Sequence, residues 1–350
     1  MSDTVLNPDV RLPRDLTRDS DFIRAVRGRA TDRTPVWFMR QAGRSLPEYR
    51  RLREGVAMME ACTDAAMVAE ITLQPVRRHG VDAAILFSDI VLPLRLAGVD
   101  LDIRPGVGPV VEEPFRSAAD VGRIGELEDL SFLTEAIASI TDELGDRPLI
   151  GFCGAPFTVA SYLIEGGPSR DHALTKALMW ERPQLWDDLL GRVADVCAQF
   201  LQTQVSAGVS AIQVFDSWAG ALSREDYESR VLPHTVRILE SVPEVPRINF
   251  GTGTGELLGV MAVPQCEVVG VDHRVALEDA IARIGPDHAV QGNLDPAALF
   301  AGEQVMQDMA ASIVAQGRAA KGHVFNLGHG VLPGTDAEVI SDLVAYVHSL

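Results

Sequence analysis

Two neighbouring stretches decide the fold: Leu189-Leu-Gly-Arg-Val-Ala-Asp-Val-Cys-Ala-Gln-Phe-Leu201 and, just after it, Ala211-Ile-Gln-Val-Phe-Asp-Ser-Trp218. In the first, Leu189, Val193, Val196, Cys197, Phe200 and Leu201 share one helical face. The second is an apolar run, Ala211 to Phe215, too short for a helix and cut off by Asp216 and Ser217. A strand covered on both faces reads as such a near-continuous apolar run, so the pair is a helix feeding a buried parallel strand. Comparable runs span Val36 to Met39, Ala84 to Phe87, Leu149 to Phe152, Arg247 to Phe250, Val268 to Val271, His288 to Gln291 and His323 to Leu327. Helix-like segments separate them. Thr63 is placed to cap one that passes Met67 and Ile71, with Pro75 expected to kink or shorten it. Ser223 and Asp226 form a capping pattern before another.

Eight strands alternating with helices over 350 residues imply a single (β/α)8 barrel of the TIM type, somewhat distorted; a doubly wound open sheet is the alternative. The longest insertion follows the second strand, from about Asp89 to Gly145, and is expected to fold over the barrel. With no Ser- or Gly-rich linker, the chain reads as one domain over 1–350 with a polar N-terminal extension (about 1–20).

Composition narrows the function. At 47% hydrophobic and 23% charged residues, the chain has enough apolar surface for a large core, which excludes a disordered or fibrous protein. No apolar run approaches the ~18 residues of a membrane span, and Met1 to Asp21 lacks the apolar stretch of a secretion signal. The cytoplasm is the expected location. The net charge of -18 argues against nucleic-acid and anionic-membrane partners. Cys62, Cys153, Cys197 and Cys266 lack metal or redox spacing and are expected to be reduced. Only Lys176 and Lys321 occur among 31 basic residues, which makes a Schiff-base enzyme improbable.

In such a barrel, reactive groups gather where strands end. Polar or glycine residues follow all eight runs: Arg40 and Gln41, Ser88 and Asp89, Gly151 to Pro156, Asp216 to Trp218, Gly251 to Gly255, Asp272, Gly292 and Asn293, Gly328 and His329. Between Arg33 and Arg53 lie six arginines (33, 40, 44, 50, 51 and 53) and one acid, Glu48. Arg50, Arg51 and Arg53 read as a solvated helix face. Arg40 and Arg44 directly follow a buried strand and flank Gly43, so they suit a pocket for a polyanionic small ligand, because guanidiniums grip carboxylates bidentately. Asp89, between Ile85-Leu-Phe-Ser88 and Ile90-Val-Leu92, is either a local cap or an anion facing a ligand N–H or a developing positive charge. His329 sits between glycines that permit close approach of a ligand. The other histidines show no metal spacing. Gly251-Thr-Gly-Thr-Gly-Glu256 fits neither the dinucleotide nor the P-loop pattern and reads as a tight strand-to-helix turn.

Six ordered segments resemble the uroporphyrinogen decarboxylase family over essentially the whole chain. They are Pro35-Val-Trp-Phe-Met-Arg-Gln-Ala-Gly-Arg-Ser-Leu-Pro-Glu-Tyr-Arg50, Leu86-Phe-Ser-Asp-Ile90, Gly151-Phe-Cys-Gly-Ala-Pro-Phe-Thr158, Phe215-Asp-Ser-Trp-Ala-Gly220, Gly292-Asn-Leu-Asp-Pro296 and Asn326-Leu-Gly-His-Gly330. The resemblance implies a distorted (β/α)8 barrel, a homodimer, and a reaction without metal or organic cofactor. That reaction removes four acetate carboxyls from uroporphyrinogen III to give coproporphyrinogen III in haem biosynthesis. It implies substrate contacts at Arg40, Gln41, Ala42, Gly43, Arg44, Asp89, Tyr162, Ser217 and His329, with Asp89 the central catalytic carboxylate and Arg40 a catalytic partner. Asp216 and Trp218 flank the serine where relatives vary. The proton donor stays open between Arg40, His329 and a bound water. Zinc methyltransferases share this architecture but use His-x-Cys and a distant Cys, and the fifth run, Ile248-Asn-Phe-Gly251, has neither type. A tetrapyrrole carrier is a third reading, which an intact Asp89 argues against.

Overall fold

The computed structural model describes residues 13–350. Seven parallel strands form the central sheet in the order β1 (Ala84–Ile85), β4 (Leu149–Gly154), β5 (Ala211–Asp216), β6 (Arg247–Gly251), β7 (Val268–Gly270), β8 (Ala289–Gln291) and β9 (His323–Val324). Between the first two in chain order stands an antiparallel hairpin, β2 (Leu101–Arg104) and β3 (Gly108–Val111). The alternation of short apolar runs and amphipathic segments therefore gives a curled α/β barrel. The helix Pro183–Ala207 buries Leu189, Val193, Val196, Cys197, Phe200 and Leu201, as its periodicity predicts. Each such side chain contributes roughly 1.5–3 kcal/mol relative to exposure. Its Gln204 also reaches the sheet, accepting from Phe152 N (2.9 Å) and donating to Phe152 O (3.0 Å).

The first expected strand is the main departure. Val36 to Met39 forms no strand of its own; Val36 makes an isolated parallel bridge to Phe325. Pro35 has no N–H and can pair only through its carbonyl, and Arg40 turns into the left-handed region at φ 61, so the pairing is cut short at both ends. This short segment nonetheless joins both edges of the sheet. Phe325 N donates to Pro35 O (2.8 Å), and Asp82 N, just before β1, donates to Val36 O (2.8 Å). The carboxylate of Asp82 completes the seam, taking Val36 N–H (2.7 Å), the Arg33 guanidinium (2.7 Å) and His348 Nε2 of the helix Ala337–Ser349 (2.6 Å). Inside the barrel, Trp37 Nε1 donates to Gln291 Oε1 (2.9 Å), and Gln291 Nε2 donates to Gln213 Oε1 (2.9 Å). Gln213 Nε2 then meets Met39 Sδ (3.7 Å). The last turn before Arg40 is thus tied to the opposite wall.

Other expectations shift in detail. Asp64, not Thr63, caps the helix Ala65–His79, accepting from Met67 N (2.8 Å); Thr63 instead ends the preceding helix, Met58–Thr63. Pro75 lies within Ala65–His79 without ending it. Ser223 caps Arg224–Arg230 as expected. The insertion after β1 is shorter than its expected span, because the helix Ser131–Leu144 packs on β4 as an ordinary barrel helix. Of the polar N-terminal stretch, residues 1–12 lie outside the described residues. From there on the chain is anchored: Thr17 is buried and hydrogen-bonds Ser210 Oγ (3.0 Å), and Arg14 reaches Val205 O (2.8 Å).

Burial alone would raise the Asp82 carboxyl, but the His348 contact, the Val36 N–H and Arg33 together hold it below its ordinary value. Its contribution to stability is therefore present above the ordinary carboxylate range and lost as pH falls through the lower folded value. Asp82→Ala should cost on the order of 3 kcal/mol at neutral pH, since it leaves Val36 N–H and His348 without an acceptor at the seam. Denaturant unfolding would read this as a lower midpoint at unchanged slope; an unaltered midpoint would refute the seam's importance.

Candidate active site

A cavity of about 910 Å³ opens at the carboxyl ends of the strands, near the top of the ~300–1,000 Å³ usual for small-molecule sites. All nine nominated residues line it: Arg40, Gln41, Ala42, Gly43, Arg44, Asp89, Tyr162, Ser217 and His329. They come from five separate chain segments, which only barrel closure brings together.

Arg40 stands at the entrance of the helix Gln41–Ser45 in the left-handed region (φ 61, ψ 17), a conformation that costs a non-glycine residue about 1–2 kcal/mol. Its neighbours hold it there. Val331 N donates to Met39 O (2.9 Å), and Gly330 leaves the room its side chain needs, since a Cβ there would lie 2.8 Å from Arg40 Cδ. The guanidinium is exposed to the cavity. Arg44 is half-buried on the same short helix. Burial first, and the charge of Arg40 second, lower its pKa from the ordinary arginine value.

Asp89 lies deep among protein atoms yet keeps part of its surface open to the cavity. Oδ1 accepts Val91 N–H (3.0 Å), and its carbonyl accepts Leu92 N–H (3.1 Å). It is thus both the local cap and the cavity-facing anion, two roles the sequence left as alternatives. Burial raises its pKa above the ordinary carboxylate range, opposed by the Val91 N–H and by Arg40. Tyr162, on the helix Pro156–Glu165, stacks on Trp218 at 4.3 Å. Burial and then the charge of Asp89 push its hydroxyl up to about 12. His329 is half-buried, and burial followed by Arg40 lowers its pKa, so the imidazole is neutral at pH 7. Ser217 follows β5, where its carbonyl accepts a hydrogen bond from Thr252 Oγ1.

The floor is aromatic. Phe152, Phe215 and Phe250 stand on adjacent strands in edge-on contacts of 5.3 and 5.9 Å, and Phe87 meets Tyr49 edge-on at 6.0 Å; all five rings line the cavity. The signal for this floor was present, because four successive apolar runs each end in phenylalanine. Arg53, assigned from sequence to a solvated face with Arg50 and Arg51, also lines the cavity, with its guanidinium bonded to Val56 O (2.9 Å) and Ala57 O (2.7 Å). Helix spacing could not reveal that its chain folds back over the pocket. Residues of the β2–β3 hairpin, among them Ile103, Val107 and Pro109, form another wall. The insertion thus covers the barrel mouth as expected. Lys176 and Lys321 stand outside the lining. Among the described residues, no group of three or more His, Cys, Asp or Glu could hold a metal ion.

Beneath Ser217 lies a buried carboxyl. Asp216 accepts Thr158 Oγ1–H (2.6 Å), and the same Thr158 oxygen accepts Trp218 N–H (3.1 Å). The pair fixes the turn that presents Ser217 and Trp218.

A barrel enzyme that handles a polyanionic small molecule over one sequestered carboxylate is the class this architecture defines. The chain belongs to the uroporphyrinogen decarboxylase family, whose family model matches residues 17–350. It is 57% identical over 341 residues to uroporphyrinogen decarboxylase of Streptomyces coelicolor, covering 96% of each chain. It is 58% identical over 336 residues to that of Thermobifida fusca, covering 95% of this chain and 93% of the relative. Among solved structures, a methyltransferase from Methanosarcina mazei superposes with a TM-score of 0.77 at 20% identity, over 95% of this chain and 98% of that one. A B12-independent methionine synthase from a Shewanella species gives 0.56 at 12% identity, over 80% and 85%. These last two share the fold.

Burial pushes Asp216 up to about 6 against hydrogen bonds from Thr158 and the following backbone. Because the folded value exceeds the unfolded one, the folded state binds a proton more tightly, and wild-type stability falls as pH rises from about 4 through about 6. Asp216→Asn should remove that decline, so the variant gains on wild type by on the order of 2–3 kcal/mol across the window. Unfolding free energies at pH 4.5 and 7.5 would show it; a pH-independent difference between the proteins would disprove it.

Proposed function

We propose that this chain decarboxylates uroporphyrinogen III, removing its four acetate carboxyls to leave coproporphyrinogen III and four CO2 on the route to haem, without metal or organic cofactor. The observation that carries the reading is the pairing of Arg40 and Arg44 with a deep, cavity-facing Asp89 above an aromatic floor. An arginine-lined mouth suits a macrocycle bearing eight carboxylates, and the phenyl floor suits its pyrrole rings.

At each step a pyrrole carbon takes a proton, and the ring becomes a cation. The C–C bond to the acetate carboxylate then breaks, its electron pair flows into that ring, and CO2 leaves. Protonation of the remaining methylene carbon and loss of the ring proton restore the pyrrole as its methyl derivative. One proton is consumed per CO2 released. The substrate is its own electron sink, so no lysine is needed.

Asp89 accepts pyrrole N–H bonds and stabilises the cation, and it does so best in the transition state. Arg40, which shares the cavity and lowers the pKa of Asp89, acts as its catalytic partner, and Gln41, Ala42, Gly43, Arg44, Tyr162, Ser217 and His329 hold the substrate. Of the three proton donors considered, the lowered pKa of His329 casts it as a neutral hydrogen-bond partner. A guanidinium is a poor acid near neutrality, which leaves water delivered beside Arg40. We further read the chain as one domain, a cytoplasmic homodimer with neither nucleic-acid nor membrane partners; no described helix is long and apolar enough to cross a membrane.

Anaerobic incubation with uroporphyrinogen III, followed by oxidation and chromatography of the porphyrins, should yield the four-carboxyl product; recovery of unchanged substrate would refute the reading. Asp89→Asn should lower kcat by roughly 10²–10³-fold with little effect on KM, the cost of losing one transition-state contact. Unaltered kcat would remove Asp89 from the chemistry. Arg44→Ala should act chiefly on KM, and a constant KM would refute its role as a carboxylate clamp.

A further inference from the structure

Beside the main cavity lies a second, smaller one of about 160 Å³. The two share Ser217 and Thr252, and the smaller is completed by His172, Trp218, Gly220 and Arg274. Two of its polar groups, His172 and Arg274, have no part in the chemistry described above.

Arg274 is exposed but pinned. Its backbone N–H donates to Asp272 Oδ1 (3.0 Å) and its Nη1 to Asp272 Oδ2 (2.6 Å). Asn293 Nδ2 holds the same turn through Asp272 O (2.9 Å) and Val275 O (2.7 Å). No hydrogen bond among the described residues engages Arg274 Nε or Nη2, the edge a carboxylate would use. Both oxygens of the nearby Asp272 are occupied, by Arg274 and by the N–H of Gly253, and its ion pair uses only Nη1 of the guanidinium. Opposite stands His172, 3% exposed, with Nδ1 lacking any hydrogen-bond partner among the described residues. Its ring lies against Trp218 at 4.7 Å, and Trp218 against Tyr162 at 4.3 Å. This aromatic row runs from the main cavity to the side pocket.

We infer that this side pocket is a substrate subsite in which Arg274, with His172 opposite, holds one aliphatic carboxylate arm of the macrocycle while a pyrrole is processed at Asp89. The inference deepens the tetrapyrrole reading and rests on it. Its volume is ample for an acetate or propionate arm, and its opening at Ser217 and Thr252 lets that arm stay attached to a ring in the main cavity.

The test is anaerobic steady-state turnover of uroporphyrinogen III by wild type, Arg274→Gln and Arg274→Lys, with thermal melts to establish that all three fold. Arg274→Gln should raise KM about 5- to 10-fold with kcat within about twofold, as expected for loss of one partly exposed charge-assisted contact. Arg274→Lys should recover most of it. Separating the porphyrins by carboxyl number identifies the arm. A propionate weakens all four steps equally, whereas an acetate leaves one partly decarboxylated intermediate to accumulate. A KM equal to wild type, or a fall in kcat alone, overturns the subsite while leaving the main-site reading intact. Failure of wild type to release CO2 overturns the tetrapyrrole reading and the subsite with it.

Discussion

The peptide of Val36 holds the barrel shut. It pairs with Phe325 on one side and accepts Asp82 N–H on the other, and the Asp82 carboxylate fastens it to Arg33 and to the helix Ala337–Ser349. Four residues later the chain turns at Arg40, against Gly330 and within electrostatic reach of Asp89 and His329. A sheet that failed to close at this seam would still bury its helices, but it would carry the arginines and the carboxylate on separate edges. The active site is therefore a consequence of closure more than of any one strand.

Within the closed barrel, the electrostatics of the cavity act as a set. Arg40 lowers the pKa of Asp89, Tyr162, His329 and Arg44, while burial works with it on the cations and against it on the acids. The aromatic floor supplies the low polarity that makes these effects large. A carboxylate kept in such surroundings is costly in the empty protein. In the reaction proposed above, a cationic ring over it offsets that cost, and the difference between ground state and transition state supplies the catalysis.

Much of this was legible in the residues. The helical face of Leu189 to Leu201 and the abrupt polar end of the next run state a parallel βα unit directly, and Asp89 stands out as a charge between apolar neighbours. Val36 to Met39 has a strand's composition, but its pairing is curtailed by Pro35 and the turn at Arg40. Thr63 and Asp64 are both of residue types that cap helices, and only the three-dimensional path decides that Asp64 does. Arg53 reads as solvent-facing because its neighbours along the helix face outward, although the segment after it folds back to the pocket.

Periodicity, capping residues and the inventory of charges are properties of neighbours along the chain, so the order of strands and helices, and the presence of an arginine cluster and an isolated acid, were set by the sequence alone. Which polar strand ends converge, how far burial moves Asp89, Asp216 and His329, and whether Arg274 and His172 face a common space were decided by the tertiary structure. Those properties depend on distances between residues far apart in sequence, and on the water excluded between them, and neither exists until the barrel closes.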